Sequence, residues 1–390
     1  MTNWFRKTAL FLKYKMWRCG PHNYFVIVMD NHSIDEISAP HRIGFITYSI
    51  ILLVFGTVGN VLLLATVLYK NVRRSSPESR TEVPSNATVA TSKHQGHVSI
   101  ADKLLIMLTL SDLFCLWVLV LRYTVNLLTF GELRSASQFA CLFHTYLSMC
   151  LSNLSIVFLC IFCVHRTAVI IWPFAIHTWL TGRCLNICLA VSTVAIFLKH
   201  IPVFFIFGLQ DTGTQKKCDT TGEMPFIEQG YVYCEFITHC VLGYLILIVS
   251  NVCMCIALRK RHAQGFPLTL PATSGENRGN ILCKSSRSKN VAYVIALFSL
   301  LQLITSIPFF IVIELSSYVG VKLVPENQRL FVYFTLLLAM FTNNAINYYV
   351  MVGISSKFRA DTRKLFEFLC CLRFRKSVST KYFRAEPKVA

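Results

Sequence analysis

Long apolar segments alternate with short polar connections along the chain. Seven such segments are present, and each is long enough to cross about 30 Å of hydrocarbon as a helix. The pattern predicts an all-α membrane protein, a bundle of seven transmembrane helices. No internal repeat is visible, which argues against a transporter built from repeated halves. The predicted spans are residues 43–69, 100–130, 140–171, 185–209, 231–258, 292–315 and 330–354.

The composition supports a membrane protein and narrows its partners. Of 390 residues, 54% are hydrophobic and only 15% are charged, which is too apolar for a soluble domain of this size. The net charge of +19 would by itself fit a nucleic-acid-binding protein. However, the basic residues lie between the spans and in the tails. We therefore expect contact with anionic membrane lipid and no nucleic-acid partner.

Positive charge sets the predicted orientation. The connections after the first and fifth spans and the C-terminal tail are rich in Lys and Arg, whereas the alternate connections are richer in acids. Because cytoplasmic loops carry the basic residues, we expect an extracellular N-terminus and a cytosolic C-terminus in the plasma membrane. The predicted parts are an extracellular tail at 1–42, the seven-span domain at 43–354 with a disordered cytoplasmic insert at about 70–100, and an amphipathic helix with a cytoplasmic tail at 355–390.

The N-terminal tail changes character at Met29. The residues before Met29 are basic and aromatic, and those after it are acidic. The sequence leaves open whether translation starts at Met1 or at Met29. Asn31 begins the sequon Asn31-His32-Ser33, which predicts glycosylation on the extracellular side.

Polar side chains recur at the expected mid-depth of the membrane. Asp112 is the only acid in the core of the second span, and a buried carboxylate needs hydrogen-bond donors or a cation. The polar residues at similar depth are Asn60, Asn153, Ser155, Asn343, Asn344 and Asn347. We predict a polar site, with a sodium ion as a candidate occupant, at Asp112, Asn60, Ser155, Asn343 and Asn347. The alternative is a structural network that only packs the helices.

The positions of the cysteines, and the absence of metal-binding and catalytic motifs in the sequence, limit the kinds of site that we expect. Most of the 16 cysteines lie inside apolar spans, where they act as small hydrophobic residues. Cys141 begins the third span and Cys218 precedes the fifth, so both would face the oxidising side and form a disulfide. Two free thiols are the alternative. The sequence contains no metal-binding or catalytic motif, so we expect neither a metal site nor an enzyme.

Several short motifs occur in a fixed order on successive spans. They are GTVGNVLL with Asn60, LTLSDLF with Asp112, VHRTAVIIWPF with Arg166, single prolines at Pro202 and Pro308, and NYYVM beginning at Asn347. Together they resemble the signatures of rhodopsin-like (class A) G protein-coupled receptors, and the resemblance covers about residues 43–369. It implies a receptor that responds to an extracellular ligand and acts on a heterotrimeric G protein through His165 and Arg166.

The chain departs from the family pattern at several positions. His165 stands in place of the acid that precedes the arginine in the family. The resemblance implies that four positions take part in switching: Ser306 in place of a tryptophan, Asn251 and Met351 in place of tyrosines, and Pro308. The cysteines that close the predicted amphipathic helix, Cys370 and Cys371, are candidate palmitoylation sites, with unmodified cysteines as the alternative.

The resemblance places the ligand between the outer halves of the helices. Ser148 replaces the acid of amine receptors, and Phe341 stands where opsins have a lysine, so neither ligand class is favoured. Glu235 and Glu314 lie near outer helix ends and suit an arginine side chain. We expect a short basic peptide, as for the invertebrate FMRFamide-type receptors that the seventh span resembles, with a pocket at Ser148, Glu235, Glu314 and Phe341. For the acids at the outer face, the alternative is that they are only solvated loop charges. For the protein as a whole, the alternatives are a receptor that has lost G protein coupling and a transporter.

Overall fold

The computed structural model describes residues 37–75, 98–129, 131–172, 181–211, 216–263, 296–315 and 323–383. Within these ranges, seven helices are long and apolar enough to cross a membrane, as the hydrophobic pattern predicts. They are α1 Ala39–Ser75, α2 Ile100–Thr129, α3 Gln138–Ile171, α4 Gly182–Lys199, α5 Pro225–Ala263, α6 Ala296–Ile313 and α7 Glu326–Ile354. A further helix, α8, spans Ser356–Phe383, and a short 3₁₀ turn precedes α3 at Leu133–Ala136.

Hydroxyl side chains define the starts of three helices. Ser99, Ser137 and Thr181 each accept a hydrogen bond from the backbone N–H three residues later, at the first turns of α2, α3 and α4. Such a cap satisfies one of the N–H groups that an α-helix leaves unpaired at its start. These caps fix where the spans emerge from the polar connections.

The predicted fourth span, about 185–209, corresponds to a membrane-length segment at Gly182–Ile206. Within this segment α4 ends at Lys199, and a short helical turn, Val203–Ile206, follows. Pro202, which lacks a backbone N–H, lies at this break. Leu209 instead belongs to β1 (Phe207–Asp211), which pairs antiparallel with β2 (Lys216–Thr220).

Three helices contain a wide, π-helical segment. The segments are Leu116–Val120 in α2, Phe236–Leu242 in α5 and Phe310–Leu315 at the end of α6. Regular α-helix resumes in α5 at Gly243, directly after its π-helical segment. A Cβ at Gly243 would lie 3.1 Å from Ile156 Cγ2, so α5 approaches α3 closely at this point. Extra helical residues of this kind rotate the side chains that follow them.

α3 is the central helix of the bundle. In its most apolar stretch 67% of the residues are buried within the protein, compared with 28% in α4 and α5. α1 packs against α2 and α7, and a Cβ at Gly56 would clash with Leu116 of α2 and Ala345 of α7. The residue that lacks a side chain therefore permits this close three-helix contact.

α8 follows α7 after a single residue, Ser355. Phe358 and Leu365 of α8 are buried against the rest of the protein, and the Phe358 ring lies 6.0 Å from that of Tyr348. The helix has 28 residues, so it is longer than the short amphipathic helix expected from the sequence. Its location on the cytosolic membrane surface stays a prediction.

Candidate functional site

Asp112 lies at the centre of a hydrogen-bonded cluster in the middle of the bundle. Its side chain is fully buried. Oδ1 accepts hydrogen bonds from Ser155 Oγ at 2.6 Å and from Asn344 Nδ2 at 2.8 Å. Oδ2 accepts one from Asn347 Nδ2 at 2.5 Å. One ionisable group on α2 therefore links this helix to α3 and α7 through hydrogen bonds.

Other members of the predicted polar set lie in neighbouring networks. Asn60 donates to the backbone carbonyls of Gly56 and Asn344, and thus ties α1 to α7. Asn343 donates to Gln302 Oε1 instead of Asp112, which corrects the grouping expected from the sequence. The reason is that Asn343 and Asn344 are consecutive in a helix and point to different neighbours.

The predicted sodium ion would need oxygen ligands around Asp112. Carboxylate and hydroxyl oxygens are suitable ligands for a hard cation. However, three neutral donors already satisfy the carboxylate, and both asparagines present N–H groups to it. Sodium binding at Asp112 and Ser155 therefore stays a prediction, and it requires a cation to replace some of these donors.

A second polar chain connects α6 to its neighbours. Gln302 donates to Ser306 Oγ at 2.7 Å and accepts from Asn343 at 2.5 Å, which joins α6 to α7. One turn earlier, Ser299 donates to Asn251 Oδ1 at 2.7 Å, which joins α6 to α5. Two of the predicted switch positions thus belong to this polar chain: Ser306 lies on α6 itself, and Asn251 of α5 contacts Ser299 on α6. The sequence signal was available, because Ser299, Gln302 and Ser306 recur at helical spacing in an apolar span.

The other two switch positions make no polar side-chain contact that joins helices. Pro308 lies two residues before the π-helical end of α6, and it is partly buried. Met351 is partly buried on α7 and packs against the main hydrophobic core.

His165 and Arg166 lie near the end of α3, six and five residues before Ile171. His165 is 7% exposed, and its Nδ1 has no hydrogen-bond partner among the described residues. The same holds for Nε of Arg166, whose guanidinium lies over the Phe162 ring at 5.6 Å. The arginine thus rests on an aromatic face, with no carboxylate from the adjacent position to hold it.

A disulfide closes the opposite end of α3. Cys141 is bonded to Cys218, with Cα atoms 5.4 Å apart, which confirms the predicted pair. Leu209 lies opposite Cys218 in the β1–β2 hairpin and donates its N–H to Gln138 Oε1 at 2.7 Å. One covalent bond and one hydrogen bond therefore fix the hairpin to the first turn of α3.

The bundle of seven helices, the Asp112 cluster and the end of α3 agree with one known family. The chain matches the 7 transmembrane receptor (rhodopsin family) over residues 85–347, which is more than half of its length. The chain belongs to this family. No curated protein sequence matches it. The receptor therefore has the fold and the general signalling role of the family, whereas its ligand and G protein are matters for proposal.

Glu235 occupies a second buried polar cluster of the receptor, between α3, α4 and α5. Its Oε2 lies 2.6 Å from Lys199 Nζ, and its Oε1 accepts a hydrogen bond from Asn153 at 2.6 Å. His200 and His239 each place a ring nitrogen 4.0 Å away. The expectation that Glu235 is available to a ligand is therefore not supported, because an internal cation already neutralises it.

The remaining residues of the predicted ligand pocket contact different neighbours. Ser148 is buried and lies within hydrogen-bond distance of His144 Nδ1, at 3.2 Å. Phe341 is also buried, and its ring centre lies 6.3 Å from that of Tyr123. Sequence reasoning missed Tyr123, whose hydroxyl lies 3.3 Å from that of Tyr333 and links α2 to α7.

A third buried acid, Glu132, lies in the connection between α2 and α3. Its Oε1 accepts from Arg122 at 2.5 Å and from Arg134 Nε at 2.6 Å, and Arg134 also donates to Thr145. Burial alone raises the pKa of Glu132, but the charges of Arg134 and Arg122 outweigh burial and lower it below its ordinary value of 4.5. Two arginines and an acid within thirteen residues were the sequence signal for this cluster.

Several predictions fall outside the described residues. These are the N-terminal tail with Met29 and the sequon at Asn31, most of the insert at 70–100, and the side chains of Glu314 and Cys371. Cys370 is described and exposed, and its palmitoylation stays a prediction.

Proposed function

We propose that the protein is a plasma-membrane receptor that transmits the binding of an extracellular ligand to a heterotrimeric G protein. Membership in the rhodopsin family supports this role. The observation that carries it is Arg166, a guanidinium near the end of α3 that lies over Phe162 and has no hydrogen-bond partner at its buried Nε among the described residues. When α5 and α6 move away from α3, its N–H donors become available to backbone carbonyls of a partner. The proposed orientation places this end of α3 in the cytosol.

The proposed mechanism is a shift between two populations of the bundle. A ligand in the outer half favours the state in which the inner ends of α5 and α6 move away from α3, and Arg166 then contacts the G protein. In most of the family an acid beside the arginine opposes this state. His165 cannot do so when neutral and repels Arg166 when protonated. We therefore expect weak restraint and a measurable basal signal.

A G protein recruitment assay in cells that express the receptor tests this proposal. The wild type should give a basal signal above that of cells without the receptor. Arg166→Ala should abolish the signal at equal surface expression, because it removes the contacting group. His165→Asp should lower it, because the new carboxylate pairs with Arg166. A basal signal that His165→Asp leaves unchanged contradicts the proposed restraint, and a signal unaffected by Arg166→Ala contradicts the coupling role.

The proposed ligand class is a short basic peptide, as in the invertebrate FMRFamide-type receptors. Support comes from acids near the start of α5. Glu228 lies in the first turn of α5, Glu223 precedes this helix, and Asp219 pairs only loosely with Lys217, at 3.6 Å. Glu235 no longer supports it, since Lys199 neutralises this acid. Glu314 is the remaining acid of the predicted ligand pocket. In the recruitment assay with a library of amidated peptides, Glu314→Gln should weaken the response to peptides that contain arginine. An unchanged response contradicts the basic-peptide proposal without touching the coupling role.

A receptor fold that has lost G protein coupling is the second candidate, and His165 in place of an acid favours it. This candidate predicts ligand binding with no recruitment by any G protein. A transporter built from repeated halves is not favoured, because no internal repeat is visible in the sequence.

A further inference from the structure

A long cleft lies between α3, α4 and α5, and its Asn153 end adjoins the Glu235 cluster. Its volume is about 520 Å³, and its walls are almost entirely apolar. Three of its lining residues, Val164, Leu242 and Ile246, are 40–49% exposed on the surface of the protein. In a membrane this surface faces hydrocarbon, so the cleft opens to lipid rather than to water.

The cleft runs along the half of α3 that leads to Arg166. On α3 its lining extends from Asn153 to Ala168, which corresponds to about 22 Å of helix. That length is comparable to a long acyl chain and much greater than a compact drug-like molecule requires. The lining includes His165, the residue immediately before Arg166.

The two ends of the cleft differ in their polar groups. At the Asn153 end, Lys199 is saturated, since its ammonium contacts Glu235, Asn153 and Thr238 at 2.6, 2.9 and 2.6 Å. At the other end, Nδ1 of His165 is buried without a hydrogen-bond partner among the described residues. His239 Nδ1, near the Asn153 end, also lacks a hydrogen bond among the described residues, but it lies 4.0 Å from the carboxylate of Glu235, which would repel an anionic head. An anionic head is therefore favoured at the His165 end.

A basic residue flanks that same end. Arg183 is exposed and directly precedes Cys184, a lining residue at the start of α4. Among the described residues that line the cleft, none is acidic. An anionic headgroup would thus meet Arg183 at the mouth, and an apolar chain would meet an apolar wall.

We propose that the cleft binds one acyl chain of an anionic phospholipid, with the headgroup beside His165 and Arg183. With the proposed orientation, this lipid belongs to the cytosolic leaflet. The bound chain contacts α3 at His165 and α5 at Gly243 and Ile246. Occupancy therefore stabilises whichever arrangement of α3 and α5 keeps the cleft open, and so acts on the helix that carries Arg166.

Photolabelling of the full-length receptor in lipid nanodiscs tests the site. The probes are phosphatidylserine and phosphatidylcholine that carry the same photoactivatable acyl chain, each at trace level in a phosphatidylcholine bilayer. Labelled residues are mapped by mass spectrometry. We expect phosphatidylserine to label residues 161–168, 184–188 and 242–246, with about fivefold preference over phosphatidylcholine. Equal labelling by both probes, or labelling spread evenly over all lipid-facing helices, would overturn the proposal.

Two alanines of α4 provide a matched pair of variants. Ala195 is exposed and lines the cleft, whereas Ala190 is exposed on the same helix and does not line it. Ala195→Trp should fill the cleft and reduce labelling there at least about tenfold, and Ala190→Trp should leave it unchanged. Cys188→Trp, at another exposed lining position, replaces Ala195→Trp if that variant is not monodisperse. Labelling that survives a filled cleft contradicts the site.

The headgroup contact has its own pair. Arg183→Gln should remove most of the preference for phosphatidylserine, whereas Arg73→Gln, an exposed arginine on α1, should retain it. A preference that Arg183→Gln leaves intact contradicts the proposed headgroup position. None of these readouts needs a G protein, so their failure is distinct from failure of the coupling role.

Discussion

Two buried carboxylates in the bundle are stabilised in different ways. Asp112 accepts hydrogen bonds from three neutral side chains, on α3 and α7, and forms no ion pair with a described basic residue. Glu235 lies 2.6 Å from the ammonium of Lys199. Both are less than 10% exposed, so burial does not distinguish the two carboxylates. They differ in the groups that they contact.

This difference separates a group that can change its charge from one that is fixed. A carboxylate held only by dipoles can take up a proton or a cation without breaking an ion pair. A carboxylate paired with a buried cation cannot, because its neutralisation leaves the cation unpaired. The Asp112 cluster is therefore the one of the two that can change its charge, whereas the ion pair of Glu235 joins α4 to α5.

Removal of the cation should give the largest effect on stability. Lys199→Met leaves Glu235 buried beside Asn153 without its ion partner, which we expect to cost about 3–5 kcal/mol. Thermal unfolding of the purified receptor in detergent measures this loss. The double variant Lys199→Met/Glu235→Gln should recover most of it, because no unpaired charge remains.

Lys217→Met is the matched control for this pair. Lys217 and Asp219 lie 3.6 Å apart with 22% exposed side chains, and a solvent-accessible pair contributes at most about 1 kcal/mol. If Lys199→Met costs no more than Lys217→Met, then Glu235 is not held by its cation and the contrast with Asp112 fails.

Glu132 extends the comparison to an acid with two cations. Glu132→Gln leaves Arg122 and Arg134 close together and largely buried, with a loss of about 3 kcal/mol at neutral pH. Because the folded-state pKa of Glu132 is below 4.5, its contribution is fully present above that pH and is lost as the pH falls through the folded-state value. The difference in Tm between wild type and variant should thus be constant from pH 7 to pH 5 and shrink in more acidic buffer.

Other groups titrate in both the wild type and the Glu132→Gln variant, so their effects cancel in the difference in Tm between the two proteins. A difference that instead grows below pH 4.5, or one already declining between pH 7 and pH 5, contradicts the two arginine contacts of Glu132. The Glu235→Gln variant serves as a second reference, since its acid belongs to a separate cluster.

A smaller effect is expected when Asp112 loses its charge but keeps its shape. Asp112→Asn offers one acceptor oxygen to three donors, so at least one buried donor loses its partner, at about 1–3 kcal/mol. Asp112→Leu removes both acceptors and should cost more. Both are measured by thermal unfolding. If Asp112→Leu is as stable as the wild type, the three donors do not depend on the carboxylate.

The sequence predicted the spans, the disulfide and Asp112, because each leaves a local signal. Apolar length predicts a span, and a single acid in an apolar segment stands out. The pairing of Glu235 with Lys199 leaves no such signal, since it depends on how α4 and α5 tilt against α3. The early end of α4 and the π-helical part of α5 that carries His239 determine which side chains face this cluster. Asn343 and Asn344 lie at nearly the same depth in the membrane, but they point in different directions from α7. This direction determines that Asn344, rather than Asn343, contacts Asp112.

The smallest expected effect comes from the loss of one donor to Asp112. Ser155→Ala removes the 2.6 Å hydrogen bond to Oδ1 and leaves those from Asn344 and Asn347. We expect a loss of about 1–2 kcal/mol, because the remaining two donors still satisfy both oxygens. Ser111→Ala is the control: Ser111 is equally buried but donates only to the carbonyl of Leu108 in its own helix. Equal losses in thermal unfolding would mean that the Ser155 bond is an ordinary packing contact. We expect a larger loss of stability for Ser155→Ala than for Ser111→Ala. If the double variant Ser155→Ala/Asn347→Ala then loses more stability than the two single variants added together, the two donors act together on one charge.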